Sequence, residues 1–324
     1  MLIATLPTLV SDRNLLVAEQ ILNHPLIYAA RYNTGGASPY TPAEILGKLN
    51  PLAQKSGKKL YVDLEGRQVR IDRWTPLSAG SVVLNRDFEI ELPGKVYFRG
   101  LGWFEILNAD AEERRIFFDP SSASLRYYLG ESQSVHIIAD KFEVFGYLAN
   151  QDADFINIAV GLGIRSFMLS FVENLEDINE FIESFRECEQ SKIKRPEIVL
   201  KIESMKGLDF VKQFSPALLG DMNLMAARDD FFLAHIDNRK NFLESLRTII
   251  TKDPNAILAS KVMSGLESGT EISMGDMADM ILMAQFGYRN FMFSDELTKK
   301  FDMAMENWRS IIMPLLESGN IDAS

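Results

Sequence analysis

Eight short apolar runs alternate with amphipathic stretches, and this alternation constrains the fold more than any other feature of the sequence. The runs are rich in Val, Ile, Leu, Phe and Ala and lie at 2–5, 27–31, 59–63, 166–171, 197–202, 222–227, 256–260 and 289–294. Near-continuous hydrophobicity indicates strands that are buried on both faces, as in a parallel sheet. Eight strand–helix repeats therefore predict an α/β fold, a closed (β/α)8 TIM barrel, rather than an open sheet.

The amphipathic stretches have the period of helices. They predict helices near 12–23, 41–56, 151–163, 174–188, 205–214, 237–251, 273–286 and 296–317.

The segment between the third strand and the third helix has a different character. It reads as short strands separated by the turn signals SAGS at 78–81, LPGK at 92–95 and DPSS at 119–122. Residues 95–104 have the aromatic and β-branched composition of a strand, with glycines that allow a bend. We therefore expect a barrel made of 1–71 and 147–324, and a β-rich lid domain inserted at 72–146.

Composition excludes several classes of protein. The net charge of −11 argues against broad nucleic-acid binding, which usually needs a basic face. Apolar runs are too short to span a bilayer, and the N-terminus lacks the features of a signal peptide. The single cysteine, Cys188, excludes an internal disulfide framework. The sequence predicts a cytoplasmic protein that binds neither membrane nor nucleic acid.

Polar residues follow most of the predicted strands. In a barrel of this kind the C-terminal ends of the strands converge on one site. The residues placed there are Arg31, Asn33, Asp63, Lys201, Glu203, Arg228, Asp229, Asp230, Ser260, Lys261 and Ser294. Any one of them has an ordinary structural explanation, because strand ends are commonly polar. Their recurrence at the same end favours a common site.

Lys201 and Glu203 are two residues apart on one strand, so their side chains point to the same side. A simple salt bridge would explain this pair. Asp230 adds a second carboxylate after the next strand. Two carboxylates completed by substrate oxygens and water suit Mg²⁺ or Mn²⁺. Lys201 and Arg31 would then neutralise a carboxylate, a phosphate or a developing enolate.

The segment RYNTGG at 31–36 joins Arg31 to a pair of glycines. Adjacent glycines can let backbone amides approach an anion, whereas the alternative is an ordinary flexible turn. Next to Arg31, both interpretations stay open.

The order of these motifs resembles the pyruvate kinase family up to about residue 316. The matching pieces are IATLP at 3–7, RYNTGG at 31–36, DLEGRQVR at 63–70, SFVENLEDI at 170–178, KIESMKGLD at 201–209, ARDDF at 227–231, the region 260–280 and FMFSDEL at 291–297. The resemblance implies a pyruvate-kinase-like barrel with a shortened lid and without the family's C-terminal regulatory domain.

The resemblance also implies residue roles. Glu203 and Asp230 would bind Mg²⁺, Lys201 would stabilise the transferring phosphoryl group or enolate, and Arg31 would contact phosphate. Ser260 stands where the family has a threonine near the substrate methyl group. Asn33 and Asp63 would belong to a potassium site, and Arg228 and Asp229 to the substrate pocket.

Departures from the family pattern concern the same region. Gly35 and Gly36 replace a serine and a histidine, and Leu64 and Gln68 stand where the family has a threonine and a glutamate, which argues against a K⁺ site. Asp229 replaces a glycine and adds negative charge beside the predicted metal. These changes make the pocket less favourable for two polyanions.

Three functions therefore stay open. The first is Mg²⁺-dependent phosphoryl transfer between phosphoenolpyruvate and a nucleoside diphosphate. The second is a metal-dependent C–C lyase or aldolase that acts on a 2-oxo acid through a pyruvate-type enolate. The third is a non-catalytic ligand-binding paralogue that kept the fold. The sequence leaves the pathway and a homo-oligomeric state undecided.

Overall fold

The structure is a computed structural model that describes residues 1–120, 127–188, 195–213, 220 and 222–318. It divides into two compact units. One contains 1–34, 38–64 and 154–324, and the other contains 35–37 and 65–153. The predicted insertion at 72–146 falls inside the second unit. The turn predicted at 119–122 lies partly outside the described residues.

Strands are numbered here in chain order through both units. They are β1 Leu2–Thr5, β2 Ala29–Asn33, β3 Lys59–Leu64, β4 Val69–Arg70, β5 Thr75–Pro76, β6 Ser81–Val83, β7 Phe88–Phe98, β8 Gly102–Asp110, β9 Arg115–Phe118, β10 Tyr128–Leu129, β11 Ser134–Val144, β12 Ser166–Leu169, β13 Glu197–Ile202, β14 Asn223–Ala227, β15 Ile257–Ala259 and β16 Asn290–Phe293.

The first unit is a closed (β/α)8 barrel, as predicted. Its eight parallel strands follow one another in the order β1-β2-β3-β12-β13-β14-β15-β16, and β16 closes the ring against β1. The strands bury both faces, and residues from all eight of them fill the interior: Ile3, Ala29, Tyr61, Met168, Val199, Met225, Ile257, Ala259 and Met292. The barrel is thus a packed core and not a pore.

The α-helices follow the predicted stretches closely. They are α1 Asp12–Asn23, α2 Pro42–Lys55, α3 Asn150–Gly161, α4 Leu175–Cys188, α5 Met205–Gln213, α6 Arg228–Ala234, α7 Phe242–Lys252, α8 Gly265–Ser268, α9 Met274–Phe286, α10 Asp295–Thr298, α11 Phe301–Asn307 and α12 Met313–Ser318. Capping boxes begin two of them, Thr41 with Glu44 at α2 and Ser273 with Asp276 at α9. Among the described residues, no helix has the length and apolar character to cross a membrane.

One helix prediction needed correction. The helix predicted at 296–317 is broken into three α-helices and a π-helical turn at Trp308–Ile312. Pro314 lacks a backbone N–H to continue the ordinary hydrogen-bond ladder, and the wider π turn precedes it. The short helices α6 and α8 were not predicted, although α6 carries both aspartates that follow β14.

The second unit is built around an antiparallel sheet of six strands in the order β4-β11-β7-β8-β9-β6, with a separate two-stranded ribbon of β5 and β10. Its own apolar core includes Phe88, Val96, Phe98 and Phe118. The turn predicted at 78–81 is confirmed, since Gly80 has φ 63° between β5 and β6. This unit is therefore β-rich, as the sequence indicated.

Two local predictions in this unit were wrong. The LPGK segment at 92–95 is not a turn but lies inside β7. A bulge interrupts the pairing of β7 with β11 there, which lets the strand accept Pro93, and Gly94 allows close approach to Ala139. Conversely, 95–104 is not one bent strand but a hairpin, with Gly100 at φ 84° between β7 and β8.

Gly35 gives a first prediction, because a Cβ at this position would overlap the guanidinium of Arg70. Arg70 is buried and forms an ion pair of 2.6 Å with Glu65, so it has little room to move. We expect Gly35→Ala to lower the free energy of unfolding by about 1–3 kcal/mol, the usual cost of overpacking. Urea denaturation followed by circular dichroism measures this.

Gly47→Ala is the matched control, because Gly47 lies within α2 and its Cβ would meet nothing within 4 Å. This change should stabilise the protein by about 0.5–1 kcal/mol. If Gly35→Ala behaved like Gly47→Ala, packing against Arg70 would not be the reason for glycine at 35.

Candidate active site at the carboxyl ends of the barrel strands

The barrel interior continues directly into a polar cluster. Side chains alternate along a strand, so a residue two positions after an interior residue points the same way. Applied to the interior residues of the first five strands of the barrel, this rule leads to Thr5, Arg31, Asp63, Ser170 and Lys201. All five are buried. The strands therefore deliver one polar layer above the apolar core, at the end where barrel enzymes have their active sites.

Asp63 is the centre of this layer and is 1% exposed. Its Oδ2 accepts hydrogen bonds from Arg31 Nε at 2.7 Å and from Lys201 Nζ at 3.2 Å. Burial alone would raise the pKa of Asp63, but Lys201 and Arg31 outweigh it and hold the pKa below its usual value. Asp63 is therefore an anion shared by two buried cations.

Lys201 is held by three groups at once. Its Nζ donates to Ser170 Oγ at 2.7 Å and to Asp63, and it lies 3.4 Å from Glu203 Oε1. Ser170 in turn donates to the carbonyl of Leu64 at 2.7 Å. The amino group of Lys201 thus has a defined position, although it sits on a long flexible side chain.

Glu203 is 3% exposed, and its Oε2 accepts a hydrogen bond of 2.8 Å from the backbone N–H of Phe171. Burial raises the pKa of Glu203, Lys201 opposes this, and the carboxylates of Asp230 and Asp63 add to the rise. Asp230 occupies the first turn of α6, directly beyond β14, which pairs with the strand that carries Lys201 and leads to Glu203.

Glu203 and Asp230 are the two carboxylates here that could hold a divalent cation. Two neighbouring carboxylates disfavour each other's charge, and a cation between them would remove that penalty. Among the described residues no group of three or more His, Cys, Asp or Glu side chains is arranged to hold a metal. Mg²⁺ commonly uses only one or two carboxylates and takes its other ligands from substrate and water, so a pair is a sufficient donor set.

One nitrogen of the Arg31 guanidinium makes longer contacts than the other two. Its Nε and Nη2 bind Asp63, whereas Nη1 has only longer contacts, 3.3 Å to Thr5 Oγ1 and 3.4 Å to Asp295 Oδ2. Asp63 and Asp295 raise the pKa of Arg31 against the effect of burial, so it stays charged. Nη1 is the atom that could bind an incoming anion without breaking the pair with Asp63.

The turn after β15 has unusual backbone geometry. Ser260, Lys261 and Met263 all have positive φ, of 63°, 57° and 52°. Such conformations cost about 1–3 kcal/mol for a non-glycine residue and tend to cluster at functional sites. Arg228 supports the turn, since its Nε donates to the carbonyl of Ser260 at 3.0 Å and its Nη1 binds Asp279 at 2.7 Å. Arg228 thus positions Ser260.

The structure brings Arg31, Asp63, Lys201 and Glu203 together, with Asp230 beside them. Arg228, Asp229, Ser260 and Lys261 form an adjoining group beyond β14 and β15. Asn33 ends β2 and is half-buried. Ser170 and Asp295 belong to the cluster but were not among the predicted site residues. Ser170 directly follows β12, so its position at a strand end is the signal that could have identified it.

The glycine pair at 35–36 does not take the conformation of an anion-binding nest. Such nests need left-handed residues, and neither glycine has positive φ. Gly35 instead makes room for Arg70. Close packing therefore explains at least the first glycine.

Comparisons with known proteins do not place the chain in a family, because no family model matches the sequence and no curated protein is significantly similar to it. The functional assignment consequently depends on the site itself.

Proposed function

We propose that the protein is a Mg²⁺-dependent enzyme of the pyruvate-kinase type. It would bind a small 2-oxo or enol acid at the barrel mouth and transfer a phosphoryl group between phosphoenolpyruvate and an acceptor such as a nucleoside diphosphate. One observation carries the proposal: the amino group of Lys201 is fixed between Asp63, Ser170 and Glu203, and Glu203 is close to a second carboxylate, Asp230. The proposed cation ligands and a positioned ammonium would thus adjoin each other.

In this proposal Glu203 and Asp230 would hold Mg²⁺, or Mn²⁺ with the same oxygen ligands. When bound, the cation would polarise the oxygens of the acid and offset negative charge that develops on them. Lys201 would donate hydrogen bonds to the enol oxygen or to the transferring phosphoryl group, and Ser170 and Asp63 would keep it in place. Because Lys201 and Arg31 already neutralise Asp63, the proposal needs no K⁺ at that carboxylate.

The other residues have supporting roles. Nη1 of Arg31 would contact a phosphate oxygen of the acid. The hydroxyl of Ser260 would donate a proton to the methylene carbon of the enolate, which becomes the methyl group of pyruvate, and would regain a proton from water. The hydrogen bond from Arg228 to the carbonyl of Ser260 would keep the backbone of this residue in place. Asn33 would line the substrate side of the pocket.

A metal-dependent C–C lyase is the second candidate, and Asp229 favours it. Asp229 adds a third carboxylate next to Asp230, and its ammonium partner, Lys261, is 3.7 Å away. The extra negative charge disfavours binding of a nucleotide polyphosphate, whereas a small acid with less charge could still bind. Lys201 would stabilise the enolate of a 2-oxo acid in the same way, without phosphoryl transfer.

Three measurements on the purified protein separate these functions. Calorimetry with oxalate, a mimic of pyruvate enolate, and Mg²⁺ should show binding that disappears without the metal. A coupled assay should show pyruvate formed from phosphoenolpyruvate and a nucleoside diphosphate. If pyruvate does not form but the methyl protons of added pyruvate exchange with deuterium, the lyase is favoured. Failure to bind oxalate with Mg²⁺ or Mn²⁺ would refute both enzymes.

A further inference from the structure

Lys261 is a half-exposed cation whose contacts to its carboxylate neighbours are long. Its Nζ donates a hydrogen bond of 3.3 Å to Glu267 Oε2 and lies 3.7 Å from Asp229 Oδ1, and the side chain is 47% exposed. Committed charge-assisted hydrogen bonds are shorter, about 2.7–2.9 Å. A better-placed anion could therefore draw the ammonium away from both carboxylates.

The backbone that carries Lys261 is held in place despite its left-handed conformation. The same loop continues into α8, where Lys300 donates to the carbonyls of Leu266 at 2.8 Å and Gly269 at 2.7 Å. The N–H of Gly265 is bound by Asp276 at 3.1 Å. These hydrogen bonds fix the part of the loop that follows Lys261, and Arg228 holds the carbonyl of the preceding residue, Ser260, at 3.0 Å. Lys261 therefore extends from a backbone that is held on both sides.

Lys261 also lies next to the proposed acid-binding site. Ala227 and Ala259 pair across β14 and β15, so Asp229 and Lys261 each come two residues after a paired position on neighbouring strands. Asp229 directly precedes the proposed metal ligand Asp230. Asp229, Asp230 and Glu267 would otherwise repel an anion on this side, and Lys261 supplies the opposite charge.

We infer that Lys261 binds a second carboxylate of the substrate, which extends beyond the part of the acid bound at Glu203 and Asp230 and is distinct from the phosphate that Arg31 would contact. The inference rests on the proposed function for the position of the acid. The substrate class is thereby narrowed to 2-oxo or enol acids that carry a second carboxylate. Lys261 would determine specificity, whereas Lys201 would act on the reacting oxygen.

The test compares three probes by calorimetry in the presence of Mg²⁺. Oxalate carries no group beyond the enolate mimic, 2-oxoglutarate adds a carboxylate, and phospholactate carries the phosphate that Arg31 would contact. We expect Lys261→Gln to bind oxalate and phospholactate within about twofold of the wild type but to bind 2-oxoglutarate about tenfold more weakly, the loss of one charge-assisted contact. A loss of affinity for phospholactate alone would show that Lys261 holds the phosphate instead, and the inference would be wrong.

Two further variants make the result specific. Lys261→Arg keeps the charge and should recover affinity to within about threefold. Lys299→Gln removes another exposed lysine that also pairs with a glutamate, Glu296 at 2.7 Å, and should change none of the three affinities. If Lys261→Gln bound 2-oxoglutarate as well as the wild type does, the inference would be wrong while oxalate binding still supported the proposed function. If the wild type bound none of the three probes, both the inference on Lys261 and the proposed function would be wrong.

Discussion

Asp63→Asn is expected to lower the free energy of unfolding by about 3–5 kcal/mol at pH 7, the usual cost of removing one partner from a buried ion pair. Asp63 is 1% exposed and is the shared acceptor of Arg31 and Lys201. An asparagine would leave two buried cations, with only the longer contacts of 3.4 Å to Asp295 and Glu203 as compensating charge. Urea denaturation measures the loss.

The matched control is Lys59→Gln on the same strand. Lys59 pairs with Glu197 at 2.9 Å, but both side chains are substantially exposed, at 43% and 32%. Exposed pairs contribute only about 0–1 kcal/mol. If Asp63→Asn cost no more than Lys59→Gln, the buried cluster would not depend on Asp63 for its charge balance.

The same prediction has a pH dependence of known sign. Lys201 and Arg31 hold the pKa of Asp63 below its ordinary value in the folded protein. The stabilisation by ionised Asp63 is therefore fully present above the unfolded pKa, about 3.9, and is lost as the pH falls through the lower folded pKa. The difference between the wild type and Asp63→Asn should stay constant from pH 5 to 8 and shrink below about pH 4.

Glu203→Gln should have opposite effects on stability and on metal binding. Burial and the nearby carboxylates raise the pKa of Glu203, so its charge is unfavourable in the folded protein without a metal. Glutamine keeps an acceptor for the N–H of Phe171 and removes the repulsion from Asp230. We expect the metal-free variant to be more stable at pH 8, by on the order of 1–2 kcal/mol.

The response to Mg²⁺ should disappear in the same variant. A metal at 100 times its dissociation constant would stabilise the wild type by about 2.7 kcal/mol. Glu203→Gln should lower the Mg²⁺ affinity at least about 100-fold. Mutation of residues that only hydrogen-bond to a metal ligand already lowers metal affinity by about 10–100-fold. Thermal unfolding with and without Mg²⁺ measures both effects, and Glu296→Gln, on an exposed carboxylate, should retain the shift.

An alternative outcome would change the interpretation of this residue. If the metal-free Glu203→Gln protein were less stable than the wild type, the carboxylate would serve mainly as a counterion of Lys201 at 3.4 Å. That is the simple salt bridge which the two-residue spacing of Lys201 and Glu203 also allowed. The sign of the stability change therefore decides between a structural pair and a metal ligand.

Much of the barrel could be predicted because a strand that is buried on both faces is a nearly continuous apolar run, and each run can be recognised by itself. Residues 2–5 and 197–202 were predicted as strands and have those bounds in the structure. The predictions failed where a contact distant in sequence overrides the local signal. LPGK looks like a turn, yet Pro93 is accommodated at a bulge against β11 and Gly94 packs against Ala139.

By itself, the sequence determined which residues end the strands and, through the alternation of side chains, that Lys201 and Glu203 share a side. It could not determine which partners those residues meet. Lys201 contacts Asp63 across 138 positions of chain, and Ser170, directly after a third strand, accepts another hydrogen bond from it. Pairing between strands sets these contacts, and that pairing depends on closing the barrel, with β1 beside β16. The sequence alone thus shows which side chains can be charged. Which charges neutralise one another is decided only when the closed ring of strands brings them together.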